Sequence, residues 1–152
     1  MTGWLVDTNV ISELRRPKPD RNVLRFLRET APASLHVSIV TLAEIRYGAE
    51  LLEDPQQRAL VEGWLEGTVR PIFAGRVLVV DEAVFLIWKS VFAAARRTGG
   101  KQSTPDLLIG ATATAHGLTV LSRDVRPFLQ AGVPVLDPWT GTLHREAPVR
   151  ED

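Results

Sequence analysis

Four acidic residues occupy positions at which an alternating strand and helix pattern gathers side chains at one edge of a sheet. Asp7 and Asp124 each follow a short apolar run, and Glu44 lies in the first turn of the helix predicted after the second run. Asp106 lies at the start of a later helix that leads back into the sheet. Sites in open parallel sheets form beyond the carboxyl ends of the strands. We therefore expect these four carboxylates to meet at that edge.

Carboxylates that meet in this way raise one another's pKa unless a cation neutralises them. Ligands that are all oxygen suit Mg²⁺ or Mn²⁺, which keep several waters and bind through a few carboxylates together with substrate phosphate oxygens. Such an ion lowers the pKa of a bound water and stabilises charge on a phosphate. The pattern is therefore typical of metal-dependent phosphodiester hydrolysis, with these catalytic candidates: Asp7, Glu44, Asp106 and Asp124.

Helix capping is a second explanation for each of the four acids. Thr41 and Glu44 have the spacing of a capping box, in which the Glu44 side chain bonds the Thr41 amide. Thr104 is a predicted N-cap, which places Asp106 at the positive end of a helix dipole. The same explanation covers the two remaining acids, Asp7 and Asp124. Asp81 also follows an apolar run and opens a helix, so spacing alone does not distinguish it from Asp7.

The overall charge gives no simple indication of a nucleic-acid partner. The chain has 18 basic and 18 acidic residues, whereas nucleic-acid-binding domains are usually basic. If divalent cations neutralise four of the acids, however, basic residues outnumber the acids that remain. Basic clusters within residues 15–21 and 96–101 either contact phosphates or are solvated helix ends.

Other metal chemistries are not indicated. The sequence has no cysteine, which excludes disulfides and thiolate metal sites. His36, His116 and His144 lack the paired spacing of a zinc site, so we interpret them as structural. No apolar run approaches the length of about 20 residues that spans a membrane, and a soluble, cytoplasmic protein is expected.

The hydrophobic pattern predicts an α/β fold. Apolar runs predict strands at residues 4–6, 35–40, 77–80, 118–121 and 133–136. Helical patterns lie between them, at residues 9–14, from about 21, 41–52, 55–65, 83–98, 107–116 and 125–129. Alternation of this kind implies a three-layer α/β/α sandwich with a mainly parallel central sheet. We expect one domain over residues 1–144 and a loose tail over 145–152.

Five ordered motifs resemble the PIN domain and, within it, the VapC-type toxins of bacterial toxin–antitoxin pairs, including the FitB-like branch. They are LVDTNVISE at 5–13, SIVTLAEIRYG at 38–48, PDLLIGATA at 105–113, LSRDVRPF at 121–128 and DPW at 137–139. Together they extend over residues 4–139 in the order of the family. One departure is Pro127, at a position that is often acidic in the family.

The resemblance implies roles for individual residues. Asp7 and Asp106 would hold Mg²⁺ or Mn²⁺, while Glu44 and Asp124 would complete the site and position water. Three further residues would orient these ligands, namely Thr8, Asn9 and Ser38.

The resemblance also implies an activity and partners. The protein would be a metal-dependent endoribonuclease toxin of a type II toxin–antitoxin system, inhibited by a cognate antitoxin. It would form a homodimer, contact operator DNA only through the antitoxin, and have no membrane partner. The preference for RNA is implied by the family, because a mechanism that does not use the 2′-hydroxyl as nucleophile does not itself select RNA.

Two other hypotheses remain open at this point. The chain could be a non-catalytic module that binds nucleic acid or regulates its operon together with its antitoxin. An Asp after the first strand also occurs in Asp-nucleophile phosphatases and in receiver domains. The former usually carry a second Asp where Asn9 stands here, and the latter need an early acidic pair that is missing, although Asp81 resembles their phosphoacceptor.

Overall fold

The computed structural model describes residues 3–97 and 103–145. The strands are β1 (Trp4–Val6), β2 (Leu35–Ser38), β3 (Val77–Leu78), β4 (Thr119–Leu121), β5 (Val135–Asp137) and β6 (Thr142–His144). The helices are α1 (Thr8–Glu13), α2 (Arg21–Glu29), α3 (Ile39–Glu50), α4 (Pro55–Trp64), α5 (Arg70–Ile72), α6 (Glu82–Arg97), α7 (Thr104–His116) and α8 (Val125–Gln130). A 3₁₀ turn, Pro32–Ser34, precedes β2, and a π-helical turn, Leu65–Val69, joins α4 to α5.

The strands form one sheet in the order β3-β2-β1-β4-β5-β6. Strands β1 to β5 pair in parallel, and β6 pairs antiparallel with β5. In the register, Trp4 lies beside both Leu35 and Thr119, so β1 is a central strand. The segments that follow β1, β2, β4 and β5 therefore leave the sheet at the same edge.

Two hydrophobic cores, one on each face, confirm the predicted three layers. Val6 and Leu121 belong to the core that includes α1, α2 and the π-helical turn. Leu5 and Val120 belong to the other core, with α7 and α8. Successive strand residues point to opposite faces, and both faces are covered by helices, which explains why the strands are continuously apolar.

Helix α7 packs closely against the sheet, as its small residues predict. Gly110 and Ala113 are buried, and an added Cβ at Gly110 would lie 3.5 Å from Val133 and 3.7 Å from Phe128. The helix ends at Gly117, whose φ of 63° is a left-handed conformation that favours glycine. Its short side chains thus let α7 lie close to α8 and to the segment before β5.

Two predicted helix starts are wrong. The second strand ends at Ser38, and α3 begins at Ile39 because the Ser38 hydroxyl accepts a hydrogen bond from the Val40 amide. Thr41 is consequently inside the helix, and the predicted capping box with Glu44 does not form. Similarly, Ser103 rather than Thr104 caps α7, because its hydroxyl accepts from the Asp106 amide at 3.2 Å. In both places an earlier serine provides the acceptor that the first turn requires.

Two structural elements were not predicted. Strand β6 has three residues, two of them exposed, and therefore lacks the apolar run that indicated the other strands. The helical path after α4 also continues to Ile72 through the π-helical turn. The predicted end of the helix at 98–100 lies outside the described residues, as does the predicted tail beyond residue 145. Within the described ranges, no helix is long and apolar enough to cross a bilayer.

Candidate active site

Asp7 is fixed at the carboxyl end of the central strand. Its amide donates a 2.9 Å hydrogen bond to the Leu121 carbonyl of β4. Its Oδ1 accepts from the Thr8 amide at 2.8 Å, which caps α1. The residue is only 4% exposed. The capping role expected for Asp7 is therefore real, and it leaves Oδ2 for another partner.

That partner is Ser122, which directly follows β4. The Ser122 hydroxyl donates a 2.7 Å hydrogen bond to Asp7 Oδ2 and accepts from Asn9 Nδ2 and from the Asp124 amide, both at 3.0 Å. It is fully buried. Ser122 is not among the site residues predicted from the sequence. Its one signal was a polar residue between a buried strand and an acid.

Asn9 joins the turn after β1 to the turn after β4. Its Nδ2 lies 3.4 Å from Asp124 Oδ2, and its Oδ1 accepts from the Arg123 amide at 3.2 Å. The Asp124 side chain makes no capping bond to α8, which contradicts the capping explanation for this acid. Asp124 instead faces Asn9, on the same side of the sheet edge as Asp7.

The four predicted acids interact electrostatically. The pKa of Asp7 is raised to about 6, chiefly by burial. The hydrogen bonds from Ser122 and Thr8 oppose this rise, and the negative charges of Asp106 and Asp124 add to it. The pKa of Glu44 is also raised, first by partial burial and then by the charges of Asp106 and Asp7. Asp81 is not part of this group. Its Oδ1 accepts from the Val84 amide and caps α6.

The donor set fits a hydrated divalent cation. Within residues 3–97 and 103–145, no three acidic, histidine or cysteine side chains stand close enough to enclose an ion by themselves. Mg²⁺ needs only one or two carboxylates, because waters and phosphate oxygens supply its other ligands. The Thr8 hydroxyl, next to Asp7, is buried without a hydrogen-bond partner, which leaves one more oxygen donor there. Such oxygen donors suit Mg²⁺ or Mn²⁺ better than zinc.

Ser38 lies at the start of one of the helices of the site. It is fully buried and its hydroxyl caps α3, the helix that carries Glu44. Thr8 lies closer, since its amide bonds the Asp7 carboxylate. The structure thus places Thr8 and Asn9 against the acids, whereas Ser38 fixes the start of a helix.

A cleft extends from the acids along α1, α3 and α4. It has a volume of about 340 Å³ and runs from Thr8 and Glu44 to Trp64. The Arg15 guanidinium lies over the Trp64 ring, 5.2 Å from its centroid. A separate cavity of about 240 Å³ behind α1 is apolar and contains none of the four acids.

Comparison with known proteins agrees with this geometry. The PIN-domain family model matches residues 4–133. VapC ribonuclease Y4jK from Sinorhizobium fredii is 38% identical over 135 residues, which cover 89% of this chain and 96% of that protein. Toxin FitB from Neisseria gonorrhoeae is also 38% identical over 135 residues, which cover 89% of this chain and 97% of FitB.

Solved structures show the same fold. The FitAcB structure from Neisseria gonorrhoeae matches with a TM-score of 0.82 and 38% identity, covering 90% of this chain and 98% of the other. The structure of FitAB bound to an IR36 DNA fragment matches with a TM-score of 0.81 and 36% identity, covering 95% of this chain and 99% of the other. The resemblance expected from the motifs is confirmed, and the chain belongs to the PIN-domain family, in the branch of the VapC and FitB toxin–antitoxin proteins.

Proposed function

We propose that this protein is a Mg²⁺- or Mn²⁺-dependent endoribonuclease and the toxin component of a type II toxin–antitoxin system. The observation that carries the proposal is the buried Asp7 carboxylate, whose pKa is raised and which interacts with Asp106 and Asp124 at the carboxyl edge of the sheet. The names of relatives support an activity on RNA: besides VapC ribonuclease Y4jK, they include the tRNA(fMet)-specific endonuclease VapC of Shigella flexneri, 28% identical over 140 residues.

In this proposal Asp7 and Asp106 hold the metal. A bound divalent ion would supply charge neutralisation, a more acidic water and stabilisation of the phosphate. The hydrogen bonds from Ser122 and from the Thr8 amide keep the Asp7 carboxylate in one orientation. Glu44 and Asp124 complete the site and position the attacking water.

The proposed partners follow from the solved relatives. Those structures are toxin–antitoxin complexes, and one of them contains DNA. We therefore expect this chain to bind a cognate antitoxin, which would block the site and carry the contact with operator DNA. We also expect a homodimer, with RNA as the substrate of the antitoxin-free protein.

The test is cleavage of total RNA by purified protein that has been freed of antitoxin. Fragments should form with Mg²⁺ or Mn²⁺, should not form with chelator, and should be absent with Asp7→Asn and Asp106→Asn. Asp81→Asn is the matched control, because Asp81 follows a strand but lies outside the acidic group, and asparagine still caps a helix. Full activity of folded Asp7→Asn protein would refute the proposal. RNA binding without cleavage under all conditions would favour the non-catalytic binding module instead.

A further inference from the structure

Two arginines beside the acidic group each lie over a tryptophan ring. Arg15 is 5.2 Å from the Trp64 centroid, and Arg123 is 5.0 Å from the Trp139 centroid. Both arginines are exposed and both tryptophans are partly buried. A guanidinium over an aromatic face is attracted by the ring quadrupole. This attraction favours the conformation in which each guanidinium lies over its ring.

The two pairs lie on opposite sides of Asp7. Arg15 lines the cleft with Glu44, whose helix follows β2. Arg123 follows β4, and Trp139 follows β5. In the sheet, β2 is on one side of β1 while β4 and β5 are on the other. Neighbouring strands are about 4.8 Å apart, so the pairs flank the acids along the sheet edge.

The backbone at each arginine is anchored near the site. The Arg123 amide donates to Asn9 Oδ1 at 3.2 Å, and Asn9 also contacts Asp124. The Arg15 amide donates to the Ser12 carbonyl at 3.1 Å, at the end of the helix that Asp7 caps. The backbone of each arginine is thus hydrogen-bonded to a segment that adjoins the acids.

Neither arginine is neutralised by an acid in the part of the chain that the structure describes. The ion pairs there are Arg16–Glu13, Arg46–Glu50 and Arg70–Glu66. The contrast within residues 15–16 is informative, because Arg16 is paired with a buried glutamate. Arg15 and Arg123 keep their positive charges available for an anion.

We propose that the Arg15–Trp64 and Arg123–Trp139 pairs are two phosphate-binding arms that hold the RNA backbone on either side of the phosphate at the acidic group. A guanidinium that stacks through one face still presents its N–H edge, which matches phosphate oxygens in a bidentate geometry. Trp64 and Trp139 act as positioning residues. The inference rests on the proposed function and assigns its substrate contacts.

The test measures binding separately from cleavage. A fluorescein-labelled single-stranded RNA of 12 random nucleotides is titrated in chelator, with Asp7→Asn as the parent protein, and anisotropy is followed over a range of salt concentrations. Arg15→Ala and Arg123→Ala should each weaken binding about fivefold to tenfold at low salt. Each should also make the slope of log affinity against log salt less steep by about 0.7, the value for one phosphate contact in a single strand.

A control arginine variant separates charge at this site from charge elsewhere, and two tryptophan variants separate stacking from charge. Arg25→Ala is the matched control, because Arg25 is exposed on α2 beside Phe26, which packs on Trp4 at the opposite end of β1 from Asp7. It should leave the salt slope unchanged.

Trp139→Leu should weaken binding while the salt slope stays at the parent value, and Trp139→Phe should restore binding because phenylalanine retains a ring face. Circular dichroism melting confirms that each variant is folded.

The outcomes distinguish this inference from the proposed nuclease activity. If folded arginine variants keep the parent's affinity and salt slope, the proposal of two phosphate-binding arms is wrong, even when the unmutated protein cleaves RNA. If RNA binding depends on Arg15 and Arg123 but the unmutated protein never cleaves RNA with metal, the two arms are supported and the nuclease proposal fails. Loss of antitoxin binding with unchanged RNA binding would assign the arms to a protein contact and overturn the inference. A parent that binds no RNA in chelator overturns the two arms, whereas the nuclease proposal is decided by cleavage with metal.

Discussion

The Ser122 hydroxyl donates a 2.7 Å hydrogen bond to Asp7 Oδ2 across 115 positions of sequence. This bond joins the end of β4 to the end of β1. It also opposes burial, which would otherwise raise the pKa of Asp7 still further. The charge of the most buried acid in the site therefore depends on a neutral residue of the neighbouring strand.

Replacing Ser122 by alanine should impair activity more than it impairs folding. The variant leaves Asp7 Oδ2, Asn9 Nδ2 and the Asp124 amide without their shared partner, and the pKa of Asp7 should rise. Loss of a group that orients a metal ligand typically costs about 10-fold to 100-fold in activity or metal affinity. Cleavage rate and Mn²⁺ affinity are the measurements, with Ser90→Ala on the exposed face of α6 as control. Wild-type kinetics in folded Ser122→Ala protein would contradict this role.

Without metal, Asp7 should destabilise the folded protein as the pH rises. Its folded pKa is about 6, against an ordinary value of 3.8, so the folded state holds this proton more tightly than the unfolded state. The free energy of unfolding should therefore decrease between pH 4 and pH 6, by about 3 kcal/mol for two pKa units. Urea unfolding in chelator measures it as the difference between wild type and Asp7→Asn. If the difference in free energy of unfolding between the two proteins does not change with pH, ionisation of Asp7 does not destabilise the folded state.

Protons and Mn²⁺ should compete for Asp7. At pH 5, one unit below its folded pKa of about 6, roughly one Asp7 in ten is ionised. Mn²⁺ should then bind about tenfold more weakly than at pH 7, because the ligand must lose its proton. The shift in melting temperature with Mn²⁺ concentration at the two pH values tests this. Asp81→Asn should behave like wild type, and an equal Mn²⁺ response in Asp7→Asn would place the metal elsewhere.

Glu13 should be needed to close the loop at residues 14–19. It is 6% exposed, and its Oε1 accepts a 3.0 Å hydrogen bond from the Asp20 amide at the start of α2. Glu13→Ala should lower the free energy of unfolding by about 1–3 kcal/mol because the part-buried Asp20 amide loses its acceptor, whereas Glu13→Gln should lower it less. Glu50→Ala removes an exposed pair with Arg46 and should change stability by less than about 1 kcal/mol. Urea unfolding distinguishes them, and equal losses in all three would contradict the prediction.

Two buried threonines should respond oppositely to valine. The Thr41 hydroxyl is buried without a hydrogen-bond partner, whereas the Thr112 hydroxyl donates to the Leu108 carbonyl at 2.7 Å. Thr41→Val removes an unsatisfied polar group and should stabilise the protein by about 1 kcal/mol. Thr112→Val removes a satisfied one and should destabilise it by about 0.5–1.5 kcal/mol. Thermal melting of both variants tests the difference, and destabilisation by Thr41→Val would show that its hydroxyl has a role.

The sheet could be predicted because its strands are apolar on both faces. The four acids could be named as site candidates because the motifs that contain them follow the order of the PIN-domain family. It could not select the helix starts. Ser38 and Thr41 both have the chemistry of an N-cap, and only the path of the chain determines which one is used. Strand β6 lacked a signal because its side chains are mostly exposed and its formation depends on pairing with β5.

Contacts between distant residues account for what was missed in the site. Ser122 matters because it is buried opposite Asp7, and a serine after a strand has no such significance by itself. The position of Trp64 beneath Arg15 likewise depends on how α4 packs against α3. Spacing did not separate the four acids from Asp81, whereas the ordered motifs did. The tertiary fold determined which neutral and basic groups surround the four acids.

The outer strands of the described sheet are short, and this affects how the molecules behave at high concentration. β3 has two residues and β6 has three, so each edge offers a neighbouring molecule little unpaired backbone. Short edge strands are one means by which proteins avoid edge-to-edge aggregation. The inner strands are already paired on both sides. Concentrated solutions should therefore resist fibre formation even though the strands themselves are strongly hydrophobic.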